Sequence, residues 1–418
     1  MNRRYFAVVG LIAGLALAVP TATAKTGGTS GPTRAAADTL TVWLQVDAQS
    51  GWPELVDQVN AEFRQRHPGW TVDVQYQTWS DHLQKFDATL AGGSPPDVIE
   101  MGNTEMTKYM AAGAFTNLTP DRRSFPNSRN WLRGLLASAM FNGRLYGVPY
   151  YAGSRVVTYR TDLYARAKIK IPKSLAQFTT AARKLRQRNG RRSFSPVYIA
   201  GTDWYIAMGF VYDYGGRIAT FRRGKWVGSL NSPAARRGLA AYKRFFSVAS
   251  RASKTTIETR PNPYDVYAQG NAGSIIGPAW FSCCVGTFKN VTKQFVMPSH
   301  TKGLGMPGFL GGSDLAIPAR SDAKAQAKDW IRLFTNTRSQ RALQAKGNIP
   351  NATNLLGSSV NERAARRSWF VPTAKHWVNV ENANVLRTML ARILTGRMSV
   401  QGASKAASDS VTRILNQP

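Results

Sequence analysis

Hydrolytic chemistry in this chain would have to come from scattered groups. The sequence holds no G-x-S-x-G elbow, no H-E-x-x-H helix and no G-x-x-x-x-G-K-[ST] phosphate loop. Its four histidines, His67, His82, His300 and His376, are too dispersed for a metal site and read as surface or capping residues. A glycosidase needs only two carboxylates, which any part of a chain can supply, but spacing marks no pair here. What recurs instead is an aromatic residue beside glycine and proline. Tyr150-Tyr151 follows Gly147-Val148-Pro149, Asp203-Trp204-Tyr205 follows Gly201, and Trp280-Phe281 follows the Gly277-Pro278 turn. Such turn-like places put an aromatic face at a cleft rim. Flat faces suit the C–H faces of sugar rings, while carboxylates and amides take the hydroxyls. Taken singly, each aromatic reads first as core packing.

These residues need a scaffold, and the N-terminal third supplies a regular one. Thr39–Val46 reads as a buried strand leading into a polar turn. Trp52–Arg66 is an amphipathic helix, with Leu55, Val56, Val59 and Phe63 at helical spacing and Pro53 in its first turn. Trp70–Tyr76 alternates like a strand, His82–Ala91 is helical, and Asp97–Met101 is a short apolar strand. The β-α-β-α-β order predicts an α/β lobe with a largely parallel sheet. Farther on, helices are expected at Leu175–Arg188 and Ala234–Ser247, and strands at Ser274–Gly277 and Asp314–Ile317. The last third reads as helical over Ala323–Thr335, Ser339–Ala345, Val385–Thr395 and Val400–Leu415.

The chain's start places it outside the cytoplasmic membrane. Arg3 and Arg4 precede the uncharged apolar run Phe6–Val19, and Ala22-Thr23-Ala24 offers a signal-peptidase site. Residues 1–24 therefore read as an export signal of the Sec or twin-arginine type, and 25–38 as a flexible linker. The formal charge is +32, from 55 basic and 23 acidic residues. Such a field attracts polyanions, and outside a cell an anionic envelope is a better candidate than nucleic acid. The only cysteines, Cys283 and Cys284, are neighbours. They read as reduced, buried small residues, with a vicinal disulfide as the alternative.

Taken in order, several segments resemble the extracellular solute-binding proteins that feed sugars to ABC importers, the group that includes maltose-binding protein. They are TVWLQVDAQSGWPELVDQVNAEFRQRHPGWTVDVQ, LAGGSPPDVIEMGN, NGRLYGVPYYAGSRVVTYRTDLY, YGGRI, IIGPAW, MPGFLGGSDLAIPARS and ILTGRMSVQGASKAASDSVTRIL. The third is the most specific, with Arg160 where the family usually has Asn. The resemblance spans about Thr39 to Leu415. It implies an α/β, two-lobed periplasmic-binding-protein fold with a hinge and an interlobe ligand cleft. Residues 39–151 and 312–352 would form the N-terminal lobe, and 152–311 and 353–418 the C-terminal lobe.

The resemblance also implies ligand-binding positions. Gln45 and Asp47 follow the first strand, and Glu100 and Asn103 end the Pro-Asp-Val-Ile strand. Tyr151 and Arg155 fall at the hinge side. Asp203, Trp204 and Tyr205 match an aromatic contact of the second lobe. Trp280 matches the stacking tryptophan after the Gly-Pro turn, although Ala279 intervenes here. Gly312, Ser313 and Asp314 match a loop reaching the cleft, and Trp377 is a further candidate. Each has a plainer reading as a turn, a cap, an ion-pair partner or core. No metal and no organic cofactor is implied.

The expected function is that of an exported, monomeric carbohydrate receptor that serves the membrane subunits of an ABC permease, not an enzyme. Electrostatic attachment to an anionic envelope would hold it in place of a lipid anchor, and no specific nucleic acid is implied. Three rivals stand beside it: a receptor for a glycerol phosphodiester or other small polar solute, a secreted glycoside hydrolase, and a polyanion-binding envelope protein.

Overall fold

A computed structural model describes residues 38–417; the export signal and nearly all of the linker expected from the sequence lie outside the described residues. Three parallel strands start the fold: Asp38–Gln45, Trp70–Gln77 and Val98–Gly102. The first is central, with Val42 paired to Val74 on one side and to Val98 on the other. Its alternating side chains are buried on both faces, as a parallel sheet covered by helices requires. Leu40, Val42 and Leu44 pack with Val59, Phe63, Trp330 and Phe334. Trp43, Ile99 and Met101 pack on the opposite face with Phe86, Tyr109 and Met110. Each such side chain contributes about 1.5–3 kcal/mol by leaving water.

The periodic helices form where the sequence places them. Pro53–Arg66 buries Leu55, Val56, Val59 and Phe63, and Leu175–Arg188 is capped by the Ser174 hydroxyl, which accepts the Gln177 amide. Pro233–Ala249, Lys324–Phe334, Thr337–Ala345, Val385–Thr395 and Val400–Leu415 follow. The polar turn expected after the first strand is instead a short helix, Val46–Gly51.

Two long strands join everything. Gly147–Arg160, the crossing strand, pairs antiparallel with Gly308–Ala316, the return strand, over Gly147–Ser154. From Arg155 onward the crossing strand pairs with Ser274–Pro278, and over its last four residues with Thr292–Phe295 as well. The return strand also pairs antiparallel with Val98–Gly102. Nine strands among the described residues thus share one sheet.

Two large cores sit along that sheet. One draws on Leu40 to Tyr150 and Leu315 to Leu355. The other draws on Val157 to Phe309 and Trp369 to Leu415. The fold is α/β and two-lobed, and the crossing and return strands serve both cores. No helix among the described residues is long and apolar enough to cross a membrane.

Candidate functional site

The first half of the site lies at the carboxyl ends of the parallel strands, where open α/β sheets present ligand-binding groups. Gln45 ends the first strand and is 1% exposed. Its backbone amide donates to Glu100 Oε2 at 2.9 Å, and its side-chain amide reaches the Glu100 carbonyl at 3.4 Å. Glu100 is equally buried, and burial pushes its carboxyl up to about 7, against the pull of the Gln45 amide. Gln45 Oε1, Glu100 Oε1 and Ser313 Oγ are buried with no hydrogen-bond partner among the described residues. These are the atoms a polar ligand would satisfy.

Asp47 and Tyr151 border this cluster. Asp47 is exposed and accepts the Trp79 indole N–H at 2.6 Å. Burial drives the Tyr151 hydroxyl well above its ordinary value, with Glu100 and Asp47 adding to the rise. Trp52 packs edge-on against Tyr151 at 5.3 Å and donates its N–H to the Tyr150 hydroxyl at 2.6 Å.

Sequence reasoning missed a neighbouring trio, Trp79, His82 and Glu105. His82, read from the sequence as surface or capping, is fully buried; Glu105 Oε2 sits 2.9 Å from its Nε2 and 2.9 Å from the Gly102 amide nitrogen. Burial alone would lower the imidazole pKa, but the bonds to Glu105 and Thr78 outweigh it and raise it. A Cβ on Gly102 would lie 2.8 Å from Glu105 Oε2 and 3.2 Å from the Trp79 ring, so only glycine allows this approach. The available signal was positional, since both Trp79 and Glu105 follow strand ends.

The second half gathers on Trp204–Asp213, a helix where the sequence suggested a turn. Asp203 caps it, accepting the Ile206 amide at 3.1 Å, and burial lifts its carboxyl to about 6. The Trp204 and Tyr205 rings stack at 3.9 Å. Trp204 is 4% exposed and belongs to the core, while Tyr205 is the partly exposed ring. Arg155 lays its guanidinium 4.1 Å from the Tyr205 ring centroid and 5.4 Å from that of Phe309. Trp280 stands two residues past Pro278, which pairs with Arg155. It is 57% exposed, and its turn is fixed by Gln294 donating to the Ala279 carbonyl at 2.7 Å.

A second omission is Glu381. It bounds a cavity of about 190 Å³ with Trp204, Tyr205, Asn382 and Arg387. Burial raises its carboxyl to about 7, against the Trp377 N–H that it accepts at 2.9 Å, and Glu105 adds to the rise. The fields of Glu105 and Glu381 thus meet, although one residue belongs to the first half and the other to the second.

Several expected contacts are scaffold instead. Trp377 is 1% exposed in the second core, so Glu381 is the polar group presented there. Asp314 lies one residue from Ser313 on the return strand. Strand alternation turns it to the other face, where it accepts the Ser138 hydroxyl at 2.7 Å and is pushed by burial to about 7. Asn103 spends its amide on the Leu310 carbonyl, and its backbone N–H on that of Gly312. Gly312 has no room for a side chain, since a Cβ would come within 2.1 Å of the Tyr151 carbonyl oxygen. The cysteines, expected to be reduced and buried, are exposed and bonded to each other. Phe281 and Val285 take the inward positions of that segment and leave the pair outside.

No three His, Cys, Asp or Glu side chains cluster as a metal site among the described residues. The arrangement is a polar, aromatic-walled candidate site in two halves.

The family model for bacterial extracellular solute-binding proteins matches residues 58–365. Among curated proteins, the diacetylchitobiose binding protein DasA of Streptomyces coelicolor is 29% identical over 441 aligned positions, spanning all of both chains. Among solved structures, the sugar-binding protein MalE of Xanthomonas citri shares the fold with a TM-score of 0.76 at 19% identity, over 90% of this chain and 97% of that one. So does UgpB of Mycobacterium tuberculosis, solved with glycerophosphocholine, with a TM-score of 0.71 at 19% identity, over 90% and 98%.

Proposed function

The chain belongs to the bacterial extracellular solute-binding proteins, and from that premise we propose that it captures an oligosaccharide for an ABC permease. The observation that carries the reading is the pairing of unsatisfied buried acceptors, Glu100 Oε1 and Gln45 Oε1, with exposed aromatic surface at Trp280. Hydroxyls would serve the acceptors, and a ring face would lie on the indole. DasA, named for diacetylchitobiose, points the same way.

The lobes of this reading are 39–151 with 312–352, and 152–311 with 353–418. Closure of one on the other would bring Tyr205, Trp280 and Glu381 toward Gln45, Glu100 and Tyr151. The protein works outside the cytoplasmic membrane and holds its ligand without converting it.

A glycerol phosphodiester is the second reading, raised by the likeness to UgpB. The charge of the site argues against it. Asp47, Glu100, Glu105, Asp203 and Glu381 line or border the two halves, against Arg155 and an Arg387 already paired to Glu258 at 2.5 Å. Carboxyls raised toward neutrality, as those of Glu100, Asp203 and Glu381 are, can both donate to and accept from hydroxyls and supply no cation for a phosphate, which suits a neutral or amine-bearing sugar.

Thermal unfolding against a panel of mono- and oligosaccharides, chitooligosaccharides and glycerophosphodiesters tests the proposal. A ligand at about 100 times its dissociation constant adds roughly 2.7 kcal/mol of stability. A selective rise with one sugar, recovered unchanged, is the expected result. A rise only with phosphodiesters, or conversion of the sugar, would overturn it.

A further inference from the structure

A larger cavity, of about 520 Å³, shares none of its lining residues with the site described above. Four of its lining residues are arginines: Arg133, Arg217, Arg366 and Arg367. Among the described residues, no carboxylate lines it. Arg133, Arg217 and Arg366 are exposed, and none of them forms an ion pair among the described residues. The fourth, Arg367, is half-buried and lies 3.6 Å from the buried Asp213 carboxylate.

Scattered arginines would mean only a solvated surface, but these converge and most are held. Arg217 donates to the Gly216 carbonyl at 2.7 Å and lies over the Tyr212 ring at 5.0 Å. Arg366 reaches the Gly357 carbonyl at 3.3 Å, and Arg367 the Gly305 carbonyl at 2.6 Å. Each anchored guanidinium keeps further N–H donors, so little side-chain freedom is lost when a ligand arrives. The segments come from distant parts of the chain. Arg133 starts the short helix Arg133–Ser138, Arg217 follows the helix Trp204–Asp213, and Arg366-Arg367 precede the strand Ser368–Trp369.

We infer that this arginine-lined cavity is an anion site for a small ligand carrying two or more phosphate charges. Guanidinium forks match phosphate oxygens in pairs, and three unpaired cations in one concavity supply charge that one phosphate would not use. The volume fits a diphosphate or a phosphorylated head group. A cavity of this size does not take a nucleic-acid duplex. The site is separate from the sugar reading, and neither depends on the other.

Isothermal titration of the full chain with inorganic pyrophosphate at low salt tests it. The expected result is saturable one-site binding, weakened tenfold or more in the double variant Arg133→Ser/Arg366→Ser. The control Arg188→Ser/Arg192→Ser removes the same charge from exposed positions elsewhere and leaves the affinity within about threefold, the range of surface charge effects. Equal weakening in both variants would mean diffuse attraction and overturn the site, as would absence of saturation. Unfolding midpoints without ligand check that each variant folds. Arg133→Lys/Arg366→Lys, which keeps the charge and loses the forks, is expected to bind weakly as well; full retention would overturn the geometry. Co-sedimentation with phosphatidylglycerol vesicles then separates the sources. Sedimentation lost only in the cavity variant assigns a lipid head group, and none at all assigns a soluble phosphate.

Discussion

The Arg155 guanidinium lies 4.1 Å from the centroid of the Tyr205 ring. Arg155 is the first residue of the crossing strand to pair with Ser274–Pro278, while Tyr205 sits in the first turn of its own helix. The contact therefore ties the strand shared by both cores to the aromatic wall of the second half. Arg155→Lys keeps the charge but loses the planar stack. We expect sugar affinity to fall by about 0.5–2 kcal/mol, the span of such contacts. Calorimetric titration with the sugar found by the panel would show it, and unchanged affinity would refute the role.

Trp280 offers a test with little structural cost. Because the ring is 57% exposed, Trp280→Ala should leave the unfolding midpoint of the free protein nearly unchanged. Loss of a stacking face should still weaken sugar binding by roughly 1–3 kcal/mol. Trp377→Ala should do the reverse, lowering stability first, since that ring is in the core.

The buried acids set a sign for stability against pH. Glu100, Asp314 and Glu381 are raised to about 7 and Asp203 to about 6. Between the ordinary carboxylate range and pH 7 the folded chain therefore holds protons that the unfolded chain has released. Stability should fall as pH rises through that window. His82, also raised, acts in the same direction over its own range. Urea midpoints at pH 5 and pH 7.5 would show the slope, and Glu100→Gln should flatten it. A rising slope would contradict the burial of these groups. Below that window the order reverses, as lowered acids such as Glu362 and Asp162 become protonated.

Two glycines of the paired strands should respond oppositely to alanine. Gly312→Ala would set a Cβ 2.1 Å from the Tyr151 carbonyl oxygen and force the strands apart. A loss of about 3 kcal/mol or more, or failure to fold, is expected. At Gly153 an added methyl would meet nothing within 4 Å, so Gly153→Ala should cost under about 1 kcal/mol. Differential scanning calorimetry of the pair decides it.

The regular parts of the fold were legible because their periodicity reflects burial. The stripe Leu55, Val56, Val59, Phe63 is the buried face of its helix, and the apolar strand at Val98–Gly102 is covered on both sides. The helix Trp204–Asp213 was not legible, since WYIAMGFVYD is buried nearly all round and shows no polar face. The site was half legible. Gln45, Asp47, Glu100, Tyr151 and Ser313 come together, as do Arg155, Asp203, Tyr205 and the Trp280 turn. Glu105 and Glu381 escaped because a lone carboxylate in sequence carries no sign of what faces it. Asp314 and Ser313 could not be told apart, because the face of a strand depends on register. The cysteines misled because a neighbouring pair looks the same in sequence whether it points inward or out.

Where the crossing strand passes from one partner to the next, it contains no joint; its one register shift lies earlier, at Tyr150. Ser154 is the last residue laddered to the return strand, and Arg155 is the first laddered to Ser274–Pro278, with no unpaired residue between them. A door on a pin swings without resistance, but a strand gripped at both ends behaves as a torsion bar. Any rotation of one half against the other has to be spread as twist over successive peptide units. In the proposed cycle, twist taken up on capture would then be available to drive release, so one element would serve both strokes.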